Sequence, residues 1–284
     1  MSKDTAYHEI EFKLDADSDE TLREIQKWME NSPKIFTRRT SRAPAIMQGL
    51  FQRPKQVTEE RVRIYYDTEE LDAFKRSVEI RQETVEKGGV KQMVKMGGNG
   101  LADDPIMDRM EYPSHLDEFG VTFDEIKDKE ARRKLRRMFD DQTFKPLVAM
   151  VSQRTRLKYH PEGNTNILIE AAFDYPCWGF SFDGHVWQAP EMELEIVEGP
   201  QDHEEARKLL EREGRRFEEK FTLLRNHHSK PTPGFARLRD YLKTPDGKRA
   251  FRKLSQDQAW WMTPQPSAQF AGVNTAVARK LLAS

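Results

Sequence analysis

Polar and apolar residues alternate along much of this chain, beginning with Glu9-Ile10-Glu11-Phe12-Lys13. Successive side chains of a strand point to opposite faces, so a strand here sets Glu9, Glu11 and Lys13 on one face. Same-face neighbours then lie roughly 6.5 to 7 Å apart. Two carboxylates at that spacing suit one divalent cation beside an ammonium that holds phosphate; an ordinary solvated strand has the same pattern. Further extended segments are predicted at 61–67, 78–83, 90–96, 107–112, 148–159, 166–174 and 192–197, with Gly88-Gly89 fitting a hairpin turn. The period changes to that of a helix in three places. Ser18 or Asp17 caps a first helix with a Leu22, Ile25, Trp28, Met29 stripe. A second helix covers 123–138, with Ile126, Leu135 and Phe139 as its apolar face, and a third covers 203–221.

The polar halves of the strands carry both signs of charge. Glu79 and Arg81, Lys95, Arg109 and Glu111, Arg154 and Arg156, Glu170 and Asp174, and Glu191, Glu193 and Glu195 each share a face with their strand partners. An ordinary antiparallel sheet hides one apolar face and offers the other to water. Charge on the second face in strand after strand points instead to a closed barrel with a polar lumen and helices outside. A half-exposed sheet with solvent-facing charges is the alternative.

Composition narrows the partners. Lys plus Arg numbers 47 against 48 for Asp plus Glu, so no overall basic field points to nucleic acid or an anionic membrane. Any anion site is therefore local. The run Arg132 to Arg137 is interleaved with nearby acids such as Asp128 and Glu130, which fits a solvated helix face. A single cysteine, Cys177, excludes an internal disulfide framework and suits a reducing compartment. No N-terminal apolar region and no membrane-length stretch is found, so a cytoplasmic protein is expected. A loop with a basic tip is expected around Arg38, Arg39 and Arg42.

Taken in order, these pieces resemble the CYTH, or triphosphate tunnel metalloenzyme, superfamily, which includes inorganic triphosphatases, thiamine triphosphatases and class IV adenylyl cyclases. The resemblance begins with the E-x-E-x-K of Glu9 to Lys13 and continues through Tyr66-Asp67-Thr68, Ile80-Arg81 and the segment ending in Lys95. It goes on through Arg109-Met110-Glu111, Arg154-Thr155-Arg156, the acidic strands of Glu170 and Glu191 to Gly199, and Ser229-Lys230. It implies an α+β fold: an eight-stranded antiparallel β-barrel, the triphosphate tunnel, with helices packed outside. Residues 1–235 would form that domain and 236–284 a C-terminal helical extension. In the extension, Trp260-Trp261 either packs on or plugs the barrel, or marks a partner contact.

The resemblance also implies Mg²⁺ or Mn²⁺, with Glu9, Glu11, Glu170, Glu193 and Glu195 as direct or water-mediated ligands, and hard cations do prefer carboxylate oxygens. Lys13, Arg81, Lys95, Arg109, Arg154, Arg156 and Lys230 would hold phosphoryl oxygens. Glu9, Glu11, Lys13 and Glu170 are the expected catalytic set. Two positions depart from the pattern. Glu83 stands where many relatives carry a second arginine, and Val94 where they often have threonine; the lost positive charge implies a shorter anion, a shifted metal or weaker binding, unless Arg61 or Arg63 fills the gap. The expected activity is hydrolysis of the terminal phosphate of inorganic triphosphate or a related short triphosphate. The alternatives are a nucleotide-directed enzyme and a non-catalytic polyphosphate or nucleotide binder. The expected partner is a small-molecule triphosphate or nucleotide, with no membrane and no nucleic acid, in a monomer or homodimer.

Overall fold

A computed structural model describes residues 6–31, 57–84, 89–97, 106–161, 164, 166–180, 186–200, 202–226 and 230–256. In chain order the elements are β1 (Tyr7–Asp15), α1 (Asp19–Asn31), β2 (Val57–Asp67), α2 (Asp72–Lys75), β3 (Val78–Thr84), β4 (Val90–Met96), β5 (Ile106–Leu116) and α3 (Lys129–Met138). They continue with β6 (Lys145–Tyr159), β7 (Leu168–Phe180), β8 (Val186–Gln188), β9 (Glu191–Glu198), α4 (His203–Phe221), β10 (Leu224–Arg225), α5 (Thr232–Tyr241) and α6 (Pro245–Gln256). The expectations for Arg38, Arg39, Arg42, Gly88, Ser229, Trp260 and Trp261 fall outside the described residues.

The strands form one antiparallel sheet of ten, ordered β10-β1-β5-β4-β3-β2-β6-β7-β8, and β9 pairs with both β1 and β7. The expected number was eight. Following the pairings, β1-β5-β4-β3-β2-β6-β7-β9 leads back to β1, while the short β8 and β10 lie off that circuit. Register across β9 sets Glu195 opposite both Glu11 and Glu170.

Period-two alternation sorts the side chains. Phe12, Leu14, Leu157, Phe173, Met192 and Leu194 point to an outer cluster with Leu22, Ile25 and Met29 of α1 and Leu210 and Phe217 of α4. A second cluster sets Ile64, Ile80 and Val94 against Ala131 and Leu135 of α3, and a third sets Val148 and Trp178 against Phe235 and Leu238 of α5 and Phe251 of α6. Each such side chain removed from water contributes about 1.5–3 kcal/mol. The intervening positions, among them Glu11, Lys13, Arg81, Lys95, Arg109, Arg154 and Glu193, are buried yet charged. Taking ions out of water costs several kcal/mol each, which pairing only partly offsets, so these groups are weak candidates for stabilisers and strong ones for function.

Local chemistry sets the helix limits. Ser18 Oγ accepts the Thr21 amide at 3.2 Å at the start of α1, and Asp202 Oδ1 accepts that of Glu205 at 2.9 Å before α4. The helix expected from residue 123 begins only at Lys129, where Asp128 accepts the Ala131 amide at 2.8 Å. Phe123 and Ile126 still reach the core, but from turns. The expected boundary at 235/236 lies within α5, whose Phe235 and Leu238 join one cluster. No helix among the described residues is long and apolar enough to cross a membrane.

Candidate functional site

The inward positions enclose a cavity of about 190 Å³. All twelve site residues expected from the sequence line it: Glu9, Glu11 and Lys13 from β1, Arg81 from β3, Lys95 from β4 and Arg109 from β5, then Arg154 and Arg156 from β6, Glu170 from β7, Glu193 and Glu195 from β9, and Lys230 after β10. Tyr7, Arg63, Glu83, Lys91, Met93 and Glu111 line it as well.

One wall is a row of acids. Glu11, Glu195 and Glu170 stand opposite one another on the neighbouring strands β1, β9 and β7. Directly opposed residues have Cβ atoms about 4.5–5.5 Å apart, and like charges so placed repel. Burial, followed by the charges of Glu9, Glu11 and Glu170, holds the Glu195 carboxyl up to about 8. The neighbouring Glu193 is different. Burial raises it too, but Lys230, Lys13 and Arg154 outweigh burial and hold it well below the usual carboxylate range. Its carboxylate lies 3.0 Å from Lys13 Nζ, 2.7 Å from Arg154 Nη2 and 3.2 Å from Lys230 Nζ. Asp174, Glu191 and Glu193 make a second compact acid group beside it, neutralised by Lys230 and Arg154.

Facing the acids are cations held by ion pairs. Lys95 donates to Glu9 at 2.7 Å and also contacts Glu111. Arg109 reaches Glu11 at 2.6 Å, Glu79 at 3.2 Å and Glu9 at 3.4 Å. Arg154 meets Asp174 at 2.9 Å, and Arg156 lies 3.7 Å from Glu170. Although burial favours the neutral form, Lys95 and Arg81 keep Glu111 down to about 2. The Nε groups of Arg81, Arg109 and Arg154 are buried donors without an acceptor. Buried donors are rarely left so.

The departure at Glu83 has a local counterpart. Arg63 Nε donates to Glu83 at 3.2 Å and Lys91 Nζ lies 3.6 Å from it, so two cations from β2 and β4 stand in the cavity around this acid. Arg63, one of the two substitutes considered, lines the cavity. Arg61, the other, is described only by its backbone pairing with Ser152. Lys91, Tyr7 and Glu111 are further lining residues outside the expected site set. Strand alternation carried the signal for them, since Lys91 lies two and four residues from Met93 and Lys95, and Tyr7 two from Glu9.

No family model matches the chain, and no curated protein matches it. Among solved structures, the chain is similar to a provisionally named adenylate cyclase from Bacillus halodurans at 13% identity and a TM-score of 0.49, covering 80% of this chain and 97% of that one. It is similar to a provisional adenylyl cyclase from Hippeastrum with a dominant triphosphatase activity at 15% identity and a TM-score of 0.42, covering 78% and 92%. A Mimivirus capping enzyme triphosphatase is matched at 11% identity and a TM-score of 0.33, covering 72% and 87%.

Proposed function

We propose that this chain is a metal-dependent hydrolase of the terminal phosphate of inorganic triphosphate or a related short triphosphate, working inside a closed tunnel formed by the eight-strand circuit. The observation that carries the reading is the acid row of Glu11, Glu195 and Glu170 sharing one cavity with Arg81, Lys95, Arg109, Arg154 and Lys230. The donor set fits a hard divalent cation, because opposed carboxylate oxygens are the ligands Mg²⁺ and Mn²⁺ prefer. Glu9, Glu11, Glu170, Glu193 and Glu195 would hold it, and it would neutralise phosphoryl charge and sharpen the acidity of water.

The chain's own residues do the rest. Arg81, Arg109 and Arg154 grip phosphoryl oxygens through their forks, and Lys13, Lys95 and Lys230 act as point charges. Arg156 grips a further oxygen while Glu170, 3.7 Å from it, orients the attacking water. Glu170 accepts a proton from that water as its oxygen bonds to the terminal phosphorus in line and the bridging P–O bond breaks, and the remaining diphosphate leaves with the bond's electrons. The cavity size favours a small anion. About 190 Å³ lies below the roughly 300 Å³ at the low end of pockets for drug-sized ligands, and its lining is charged almost throughout. A nucleotide would therefore leave its base outside, where the half-exposed Tyr7 at the cavity offers an aromatic ring. Among the described residues, Tyr7 is the feature that favours a nucleotide-directed enzyme.

The test is a substrate panel with Mg²⁺ or Mn²⁺: tripolyphosphate, thiamine triphosphate and ATP, scored for phosphate, pyrophosphate and cyclic nucleotide. Phosphate released fastest from tripolyphosphate is expected, and Glu11→Gln should lower that turnover about 100-fold or more while the protein stays folded. Pyrophosphate with cyclic AMP from ATP would replace the reading by a cyclase, and binding without turnover would replace it by a binding protein.

A further inference from the structure

The outer face of β1 is apolar at Ile10, Phe12 and Leu14, and that of β5 is apolar at Ile106, Met110 and Tyr112. His8 and Asp108 interrupt both runs. Because Ile10 pairs with Asp108, and His8 with Met110, the two fall on diagonal positions of adjacent strands. His203, the first residue of α4, packs over them with its ring centroid 4.1 Å from that of His8 and the planes at 34°. One Asp108 oxygen contacts His8 Nε2, and the other lies 3.6 Å from His203 Nδ1. A nitrogen of each imidazole and a carboxylate oxygen thus lie within 4.8 Å of one another. Three separate elements converge to bring them there.

Ion pairing alone gives little reason for this arrangement. The three groups are partly exposed, and surface pairs of that kind contribute at most about 1 kcal/mol. Two imidazoles face to face would moreover repel if both were protonated. We infer that His8, Asp108 and His203 form an exterior metal site for a borderline transition ion of the Zn²⁺, Co²⁺ or Ni²⁺ class. Two nitrogens and one oxygen suit such ions, whereas the all-oxygen lumen acids suit Mg²⁺ or Mn²⁺. Metal–nitrogen bonds of about 2.0–2.1 Å require His8 Nε2 and Asp108 Oδ1, now in contact, to part around the ion and His203 to close on it, which rotation of the half-exposed His8 and His203 side chains allows. Arg207 Nη1, 3.6 Å from Asp108 Oδ2, occupies one side of the carboxylate and leaves Oδ1 facing His8. The site joins α4 to β1, whose opposite face presents Glu9 and Glu11 to the cavity. An ion bound there would clamp that strand from outside.

The full chain is titrated with Co²⁺ and with Zn²⁺ in a large excess of Mg²⁺, so that the lumen acids are already served. Visible absorption of Co²⁺ and calorimetry report binding, and thermal melting reports stabilisation. One saturable equivalent of Co²⁺ or Zn²⁺ is expected. His8→Ala and His203→Ala should each weaken it about tenfold or more. Glu11→Gln should leave it unchanged. The inference is overturned if no saturable binding survives excess Mg²⁺, or if both histidine variants bind as tightly as the parent while circular dichroism shows them folded.

Discussion

Asp67 shows how one residue of the sequence resemblance earns its place without touching the cavity. Its carboxylate accepts the amides of Thr68 at 2.7 Å, Ala73 at 2.8 Å and Phe74 at 2.8 Å, gathering the chain into α2 immediately after β2. Burial raises its pKa from 3.8 to about 6 even though those three bonds oppose the shift. A carboxyl so raised binds its proton more tightly folded than unfolded, so between those values folding takes up protons. The resulting stability is fully present below pH 3.8 and is lost as pH climbs through about 6. Two pKa units correspond to about 3 kcal/mol. In Asp67→Asn the amide does not titrate. The difference in unfolding free energy between parent and variant, measured by denaturant from pH 3.5 to 7.5, should therefore fall by about 3 kcal/mol across that interval. A difference that stays level would show that Asp67 keeps its ordinary value.

Between elements, α4 lies so close to β1 that Gly214 has no room for a side chain. A Cβ built there meets the ring of Phe12, itself wholly buried. Alanine would gain about 1 kcal/mol of helix propensity over glycine. Overpacking against a fixed aromatic ring costs about 1–3 kcal/mol, so Gly214→Ala should lower the denaturation midpoint, and a raised midpoint would show that the helix shifts freely. The contact bears on the site, because Phe12 lies between Glu11 and Lys13 on the strand that faces the cavity. Elements like α4 were legible in the sequence because a long apolar stripe runs along them at helical spacing; its limits match those expected, at 203 and 221. The strands β3, β4 and β9 were legible for the same reason, since alternation and turns coincide. Legibility failed where structure depends on distant partners. Phe123 and Ile126 carry helical spacing, yet turns deliver them to the core before Asp128 caps α3. The short β8 and β10 owe their existence to pairing with β7 and β1, and α6 is anchored in the described core through Phe251. At the site, alternation revealed which residues point inward but not their neighbours. That Glu11, Glu195 and Glu170 stand in one row is a fact of register, and that Arg63 answers Glu83 is a fact of how β2 lies beside β3.

For the molecule as a whole, the charge balance of the interior governs how it can take an anion. Among the described residues nine cationic and seven acidic side chains line the cavity. Three further buried acids, Glu79, Asp174 and Glu191, pair with those same cations and remove the surplus. This interior is therefore a set of matched pairs rather than a cationic trap. A free triphosphate entering it has to pull Lys95 and Arg109 away from Glu9 and Glu11, leaving those carboxylates buried and uncompensated, which is the costly way to break a buried pair. Divalent cations arriving with the anion would compensate the released acids, so each ligand should bind better in the presence of the other, and by the same factor in both directions. On the proposed reading Glu170→Gln turns over slowly, so melting of that variant separates this from turnover. Tripolyphosphate alone and Mg²⁺ alone should each raise the melting temperature slightly, and the two together by clearly more than the sum, because stabilisation grows with occupancy relative to affinity. If tripolyphosphate by itself produces the whole shift, the interior holds anions without help from a cation, and the acid row has some other task.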